Sequence, residues 1–378
     1  MLGKIANSMA NIINTALSDW KSLLKLIGII GGIILFVIII ALLLRPREHS
    51  FNQVENILKN AAIAYYEENN LLLPTEDNTP VRVDATHLIE NKYMRPLTRL
   101  LPRNTCSAYV MVHYNENNHL YLPFLDCGEA FKTEMLIDAI LKETVTHGDG
   151  LYEVNNEFIF RGEKINNYVL FADILWRVVK IDENRNIRLI AADILKDERG
   201  RDIVRVVWDD RYNIEEQANR GVNDYRISRI RHILNNDIID NLNEHLNQLV
   251  YFQGCIGRRT RDNRTSDGSV ECSLLDVPSK ISVLSLNEYI FASLDPTCRS
   301  AEDFQCQNYN YLALFRDRWW TLTGDRATTH RVYGVSARGV INADRASDKA
   351  QVRPVILLNR FVLLQEGEGT RENPFSVR

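Results

Sequence analysis

The sequence predicts an α+β protein with a single N-terminal transmembrane helix. A small helix-plus-antiparallel-sheet domain and a larger mixed α+β domain should follow it. Three observations predict this. Residues 26–44, LIGIIGGIILFVIIIALLL, are uncharged and apolar on every side, a run long enough to cross a ~30 Å hydrocarbon core as a helix. Directly after it, one segment with helical periodicity precedes a pair of alternating strand-like segments. The remainder mixes short β-branched runs with a few helical ones, the pattern of an α+β domain.

Taking the elements in order, Ile5, Met9, Ile12, Ile13, Ala16, Leu17, Trp20, Leu23 and Leu24 recur at helical spacing within residues 1–25. That stripe fits an amphipathic helix in the inner membrane interface, or equally a docking helix for a partner. The span 26–44 ends in RPREHS without a small-residue cleavage site, so it reads as an uncleaved signal anchor. Lys4, Lys21 and Lys25 before it against Arg45 and Arg47 after it give only a slight bias to a cytoplasmic N-terminus. The cysteines decide the orientation. Six of them fall into three neighbouring pairs, Cys106 with Cys127, Cys255 with Cys272 and Cys298 with Cys306, with no CxxC and no histidine at zinc-ligand spacing. Such a set suits an oxidising exterior, which places residues 45–378 outside a cell membrane.

Residues 45–133 form the small domain. Pro46 interrupts helix propagation, and Ser50 with Gln53 then makes a capping-box pattern at the start of a new helix. Phe51, Val54, Ile57, Leu58, Ala61, Ala62 and Tyr65 give that helix one apolar face, which ends near ENNLLLP. VRV, SAYVMVHY and HLYLPFL read as strands, the last two joined through the turn-prone NENN and bracketed by Cys106 and Cys127. Residues 134–147 read as a short helical linker through Met135, Leu136, Ile140 and Leu141, ended by HGDG.

Residues 148–378 form the larger domain. NYVLFADILWRVVKI and NIRLIAADIL are strand-like runs around DENRN, a hairpin signal. DYRISRIRHILNNDIIDNLNEHL carries helical periodicity through Ile227, Ile230, Ile233, Leu234, Ile238 and Leu242. VYGVSARGVINA predicts another hairpin. Between Cys255 and Cys272 lies GRRTRDNRTSDGSVE, where arginines alternate with acids; it reads as a solvated loop tied off by a disulfide.

Two stretches carry resemblances. AAIAYYEENN, LIENKYMRPL, CSAYVMVHY and YLPFLDCGEAFKT resemble the pilin-like membrane-anchored segment of many Firmicutes cell-surface proteins, although no prepilin-peptidase site is present. From about Gly148 onward, the GDGLYEV opening, YRISRIRHILNNDII, KISVLSLNEYIFA, RDRWWTLTG, QVRPVILLN and the ending GEGTRENPFSVR resemble a Firmicutes surface domain without an assigned function. The Trp-Trp block before a VRPV strand is similar to the sulfatase-modifying-factor and C-type-lectin-like arrangement. That resemblance implies a fold and not an activity. The copper-binding cysteine pair of the sulfatase-modifying family does not map onto this sequence.

Catalytic constellations are incomplete. The sequence has no phosphate-cradling Gly-rich loop, His245 lacks a second histidine one turn away, and GVSARG places Ser336 outside the esterase-elbow spacing. For ligand contact, Asp209, Asp210 and Tyr212 in VWDDRY offer carboxylates beside aromatic rings, the mix that grips a sugar. Arg316, Arg318, Trp319, Trp320, His330 and Arg331 offer a second such set. The formal charge of −4 sets nucleic acid aside as the main partner. The expectation is a non-enzymatic, membrane-anchored surface protein that binds a glycan, peptide or protein, with no cofactor and no metal. The alternatives are a subunit of a pilus-like or secretion assembly, which would oligomerise through the span and its flanking helices, and an extracytoplasmic enzyme of lectin-like fold.

Overall fold

The structure is a computed structural model that describes residues 49–75, 79–115, 118–196, 200 and 205–377. The expected amphipathic helix and the span 26–44 lie outside the described residues. Among the described residues no helix is long and apolar enough to cross a membrane. The chain divides into two compact units between Lys132 and Thr133.

The N-terminal unit is built on helix α1 (Phe51–Glu68). Its start follows from the sequence: the Ser50 hydroxyl accepts from the Gln53 amide while the Gln53 side chain accepts from the Ser50 amide, so both groups of the capping box are satisfied. Val54, Leu58, Ala61, Ala62 and Tyr66 are buried, which shifts the apolar face by one residue at its end, from Tyr65 to Tyr66. The helix packs on an antiparallel sheet of β1 (Val81–Asp84), β2 (Ser107–Asn115) and β3 (Asn118–Asp126). Alternation does the rest, since Ala108, Val110 and Val112 turn into the core while their neighbours turn out. Two short helices missed in LIENKYMRPL, α2 (Ala85–Glu90) and α3 (Leu97–Leu100), join β1 to β2. Cys106 and Cys127 are bonded just outside the hairpin.

The C-terminal unit begins with α4 (Leu136–Leu141), and here the linker reading is corrected. Leu136, Ile137, Ala139 and Ile140 are buried in the same core as the sheet, and the Leu136 amide donates to the Val362 carbonyl. A spacer would leave those side chains in water; five apolar residues in six drive this one inward.

The main sheet contains β4 (Gly150–Val154), β5 (Glu157–Arg161), β6 (Tyr168–Phe171), β7 (Ile174–Ile181) and β8 (Ile187–Ala191). Short strands β9 (Val206–Val207), β10 (Ile281–Val283), β11 (Trp319–Gly324), β12 (Arg331–Val335), β13 (Ile341–Arg345) and β14 (Lys349–Ala350) come next in the chain, with helices α5 (Arg229–Ile233) and α6 (Leu286–Phe291) among them. The last strands, β15 (Pro354–Leu358), β16 (Leu364–Glu366) and β17 (Phe375–Val377), return to the main sheet, whose order is β10-β15-β8-β7-β6-β17-β16. Among the described residues, β17 and β6 are the only strand pair that runs parallel. One edge of β7 serves two strands in succession, β6 along its first half and β5 at its end, with a bulge between Val178 and Lys180 on the β8 side. A separate sheet holds β11-β12-β13, and β9 pairs with β14. The architecture is α+β, mostly sheet.

Two local readings need refinement. NYVLFADILWRVVKI is not one strand. It folds back at Ala172 and Asp173, whose positive φ values of 53° and 57° are those of a type I′ turn. The predicted helix after Asp224 is a Tyr225–Ile227 3₁₀ turn, then α5, a π segment over Leu234–Ile238 and a 3₁₀ run over Ile239–Gln248. Its buried residues Ile230, Leu234, Ile238 and Leu242 repeat every four residues. A regular α-helix drifts by about 40° at each such step. The underwound π segment offsets that drift between Leu234 and Ile238.

Candidate functional site

The sequence-predicted site residues separate by depth. Trp208, Trp319 and Trp320 are fully buried. The Trp208 indole donates to the Thr321 carbonyl at 3.2 Å and the Trp320 indole to the Val206 carbonyl at 3.1 Å, while Trp319 meets Tyr289 edge-on. None offers a face to a ligand, so the stacking role given to Trp319 and Trp320 is corrected to a packing role. Large apolar area, and in two of the three a satisfied N–H, explain the burial.

The two aspartates of VWDDRY point apart. Asp209 is buried and accepts from the Val222 amide at 2.7 Å and from Arg211 Nε at 2.9 Å. Asp210 stands in solvent and pairs with Arg229 at 2.7 Å. Gly221 makes the inner arrangement: at φ +77°, a Cβ there would lie 2.2 Å from the Asp209 carbonyl oxygen. Tyr212 is exposed and stands apart from both cavities described below.

Arg318 is committed to Asp344 at 3.1 Å and to the Lys349 carbonyl at 2.6 Å. Burial lifts the Asp344 carboxyl above the usual range against the pull of Arg318. Arg331 caps the Ala343 carbonyl at 2.8 Å. His330 is buried with its Nδ1 3.0 Å from a Glu216 carboxylate oxygen, a contact off the hydrogen-bonding direction that leaves both ring nitrogens without a bond among the described residues. Ser336 Oγ accepts from the Val340 amide inside the β12–β13 turn. Among the described residues no group of three or more His, Cys, Asp and Glu side chains suits a metal.

All six cysteines are paired as their spacing implied. The arginine-rich loop between Cys255 and Cys272, however, is more than a solvated tie. Arg259 is buried and makes a two-point pair with Glu271, Nε to Oε1 at 2.7 Å and Nη2 to Oε2 at 3.1 Å. It also donates to the carbonyls of Asn263 and Thr265. Alternating charge hid this, because an inward arginine reads like its exposed neighbours until its acid partner twelve residues on is placed beside it.

That loop is one wall of a cavity of about 370 Å³. Ser266, Asp267, Gly268 and the Cys255–Cys272 pair line one side; Asn155, Ile159 and Phe160 from the β4–β5 ribbon line another. Asn287, Glu288 and Phe291 of α6 complete the lining with Lys180 and Arg188. All the charges of the lining but Asp267 are matched by ion pairs. Lys180 pairs with Glu157 at 2.6 Å, Arg188 with Glu288 at 2.7 Å, and Glu271 with Arg259. Burial alone would raise Glu288, but Arg188, Lys180 and the Ser285 hydrogen bonds outweigh it and hold the carboxyl below its usual range. What the cavity presents is one carboxylate, Asp267, held by the Ser269 amide and hydroxyl, with amide and hydroxyl groups of Asn155, Gln253, Ser266 and Asn287 around the half-buried ring of Phe291.

Residues 188–360 match a family described as a domain of unknown function (DUF6273). No curated protein and no solved structure matches the chain. The matched segment starts within β8 and ends just after β15. The compact unit extends beyond it on both sides, since β4 to β7 and β17 complete the same sheet. The cavity likewise draws on both parts, with the β4–β5 ribbon outside the match and the disulfide loop and α6 inside it.

Proposed function

We propose that this chain is a non-enzymatic, membrane-anchored surface protein whose C-terminal unit binds an uncharged polar ligand, a glycan in first place. The observation that carries the reading is the cavity beside the Cys255–Cys272 loop. Its volume of about 370 Å³ suits one or two sugar rings, its ionic groups other than Asp267 are paired internally, and Phe291 lies among hydrogen-bonding side chains. A lectin-like fold and a surface location belong to this reading, supported by three closed disulfides that fit an oxidising compartment. An anchor through residues 26–44 rests on the sequence alone.

The test is retention of the full chain on an array of neutral glycans, with short peptides as a second set. Ser266→Trp, at an exposed position on the cavity wall, fills the site without touching a buried contact. Loss of glycan retention in that variant supports the proposal. Equal retention by both proteins, or retention of peptides alone, would sink it.

A further inference from the structure

A second cavity, of about 250 Å³, lies in the same unit and has the opposite character. Its lining includes four arginines, Arg177, Arg316, Arg353 and Arg371, against a single carboxylate, Asp193. Arg177 and Arg353 are buried, and among the described residues neither has an ion pair. Only neutral acceptors meet them. Arg177 Nε donates to the Asn167 side-chain oxygen at 2.8 Å and Nη1 to the Tyr311 carbonyl at 3.3 Å. Arg353 Nε donates to the Ala191 carbonyl at 3.1 Å and Nη1 to the Leu312 carbonyl at 3.2 Å. In each guanidinium Nη2 is left over.

Aromatic rings fix both planes. Arg177 lies over Tyr168 at 4.4 Å and Tyr311 at 4.6 Å; Arg353 lies over Phe315 at 4.5 Å and Trp319 at 4.9 Å. Asp193 makes its pair with Arg371, at 2.6 Å and with both side chains half exposed, and reaches Arg353 only as the weakest of the charges that act on it. Two buried like charges with no carboxylate in contact are costly. Burial and the mutual repulsion with Arg177 press Arg353 down to about 9.

We propose that this cavity is an anion site for a carboxylate or phosphate group, gripped by Arg177 and Arg353 with Arg371 and Arg316 at its mouth. The preoriented Nη2 groups left on Arg177 and Arg353 offer charged N–H donors to the oxygens of either group, and the bound anion supplies the missing counter-charge. The lining of Ala192, Leu314 and Phe315 leaves apolar surface for the body that carries the group. This site is independent of the glycan reading, since the two cavities share no lining residue.

Isothermal titration of the full, disulfide-intact chain with inorganic phosphate, acetate and N-acetylalanine tests it. The expected result is saturable binding of at least one of these with a Kd below about 1 mM. Preference for phosphate assigns a phosphate ligand; preference for N-acetylalanine over phosphate assigns a carboxylate. Arg371→Gln at the mouth should weaken binding about fivefold and Arg177→Gln by tenfold or more, as for loss of a charge-assisted contact. Should Arg177→Gln fail to fold, Arg316→Gln combined with Arg371→Gln provides the same test from the exposed side. Arg338→Gln, an exposed arginine lining neither cavity, controls for overall charge. No binding of any of the three probes, or binding weakened as much by Arg338→Gln as by Arg371→Gln, overturns the proposal.

Discussion

At the scale of single residues, several of the polar groups that sequence reading assigned to a ligand, Asp209, Arg318 and Arg331 among them, are ones the fold uses for itself. Asp209 holds a turn through the Val222 amide and Arg211. Asp209→Asn should therefore lower stability by about 2 kcal/mol, the cost of disturbing a buried charged acceptor. A urea midpoint unchanged from wild type would refute that. Glu288 gives the residue-level pH prediction. Its carboxyl is held below 4.5, so the stability it contributes is complete above that pH and lost as pH falls through the lower folded value. Glu288→Gln should flatten the acid limb of a stability–pH profile below 4.5. It should also cost about 3 kcal/mol at neutral pH by leaving Arg188 buried without its partner. An acid limb as steep as the wild type's would remove Glu288 from the account.

At the scale of elements, type I′ geometry at Ala172–Asp173 predicts that Asp173→Gly stabilises the C-terminal unit. Relief of a left-handed backbone at a non-glycine residue is worth about 1 kcal/mol. A melting scan should rise by about 2–4 °C; a fall would mean that the Asp173 side chain has a role in the turn. The Cys255–Cys272 loop predicts the reverse. Replacing both cysteines by alanine should cost about 3 kcal/mol by the loop-entropy estimate and abolish glycan retention, because one wall of the cavity loses its tie. Much of this was legible in the sequence where the signal is local. The Ser50–Gln53 cap, the β2–β3 alternation and the hairpin over VYGVSARGVINA depend on residues a few places apart. What sequence reading missed depends on distant partners: the Arg259–Glu271 pair, the packing of α4 against Val362, and the arginine cavity assembled from β6, β7, the residues after β8, the 311–316 turn, Arg353 ahead of β15 and Arg371 ahead of β17. Arg353 in VRPV looked like one more strand residue. Arg316, by contrast, was read as a ligand contact and does line a cavity, though apart from the tryptophans it was grouped with.

At the scale of the whole molecule, the two units have hydrophobic cores with no residue in common. Calorimetry of the intact chain should then resolve two transitions, and replacing Cys106 and Cys127 should move only one of them. A single transition, or both moving together, would show that the units unfold as one. The main sheet carries a further consequence, one of time. β8 lies against β15, with Ile190 opposite Val355, so the strand that completes its hydrogen bonds is made long after it. At ordinary rates of synthesis the delay is on the order of ten seconds. Through that interval the β7–β8 hairpin has one edge bare, and Leu189 and Ile190 still lack the rest of their core. A newborn chain in that state can pair with its neighbours as readily as with itself. Productive folding of this protein is thus a race between elongation and encounter, in which crowding of nascent chains sets the yield.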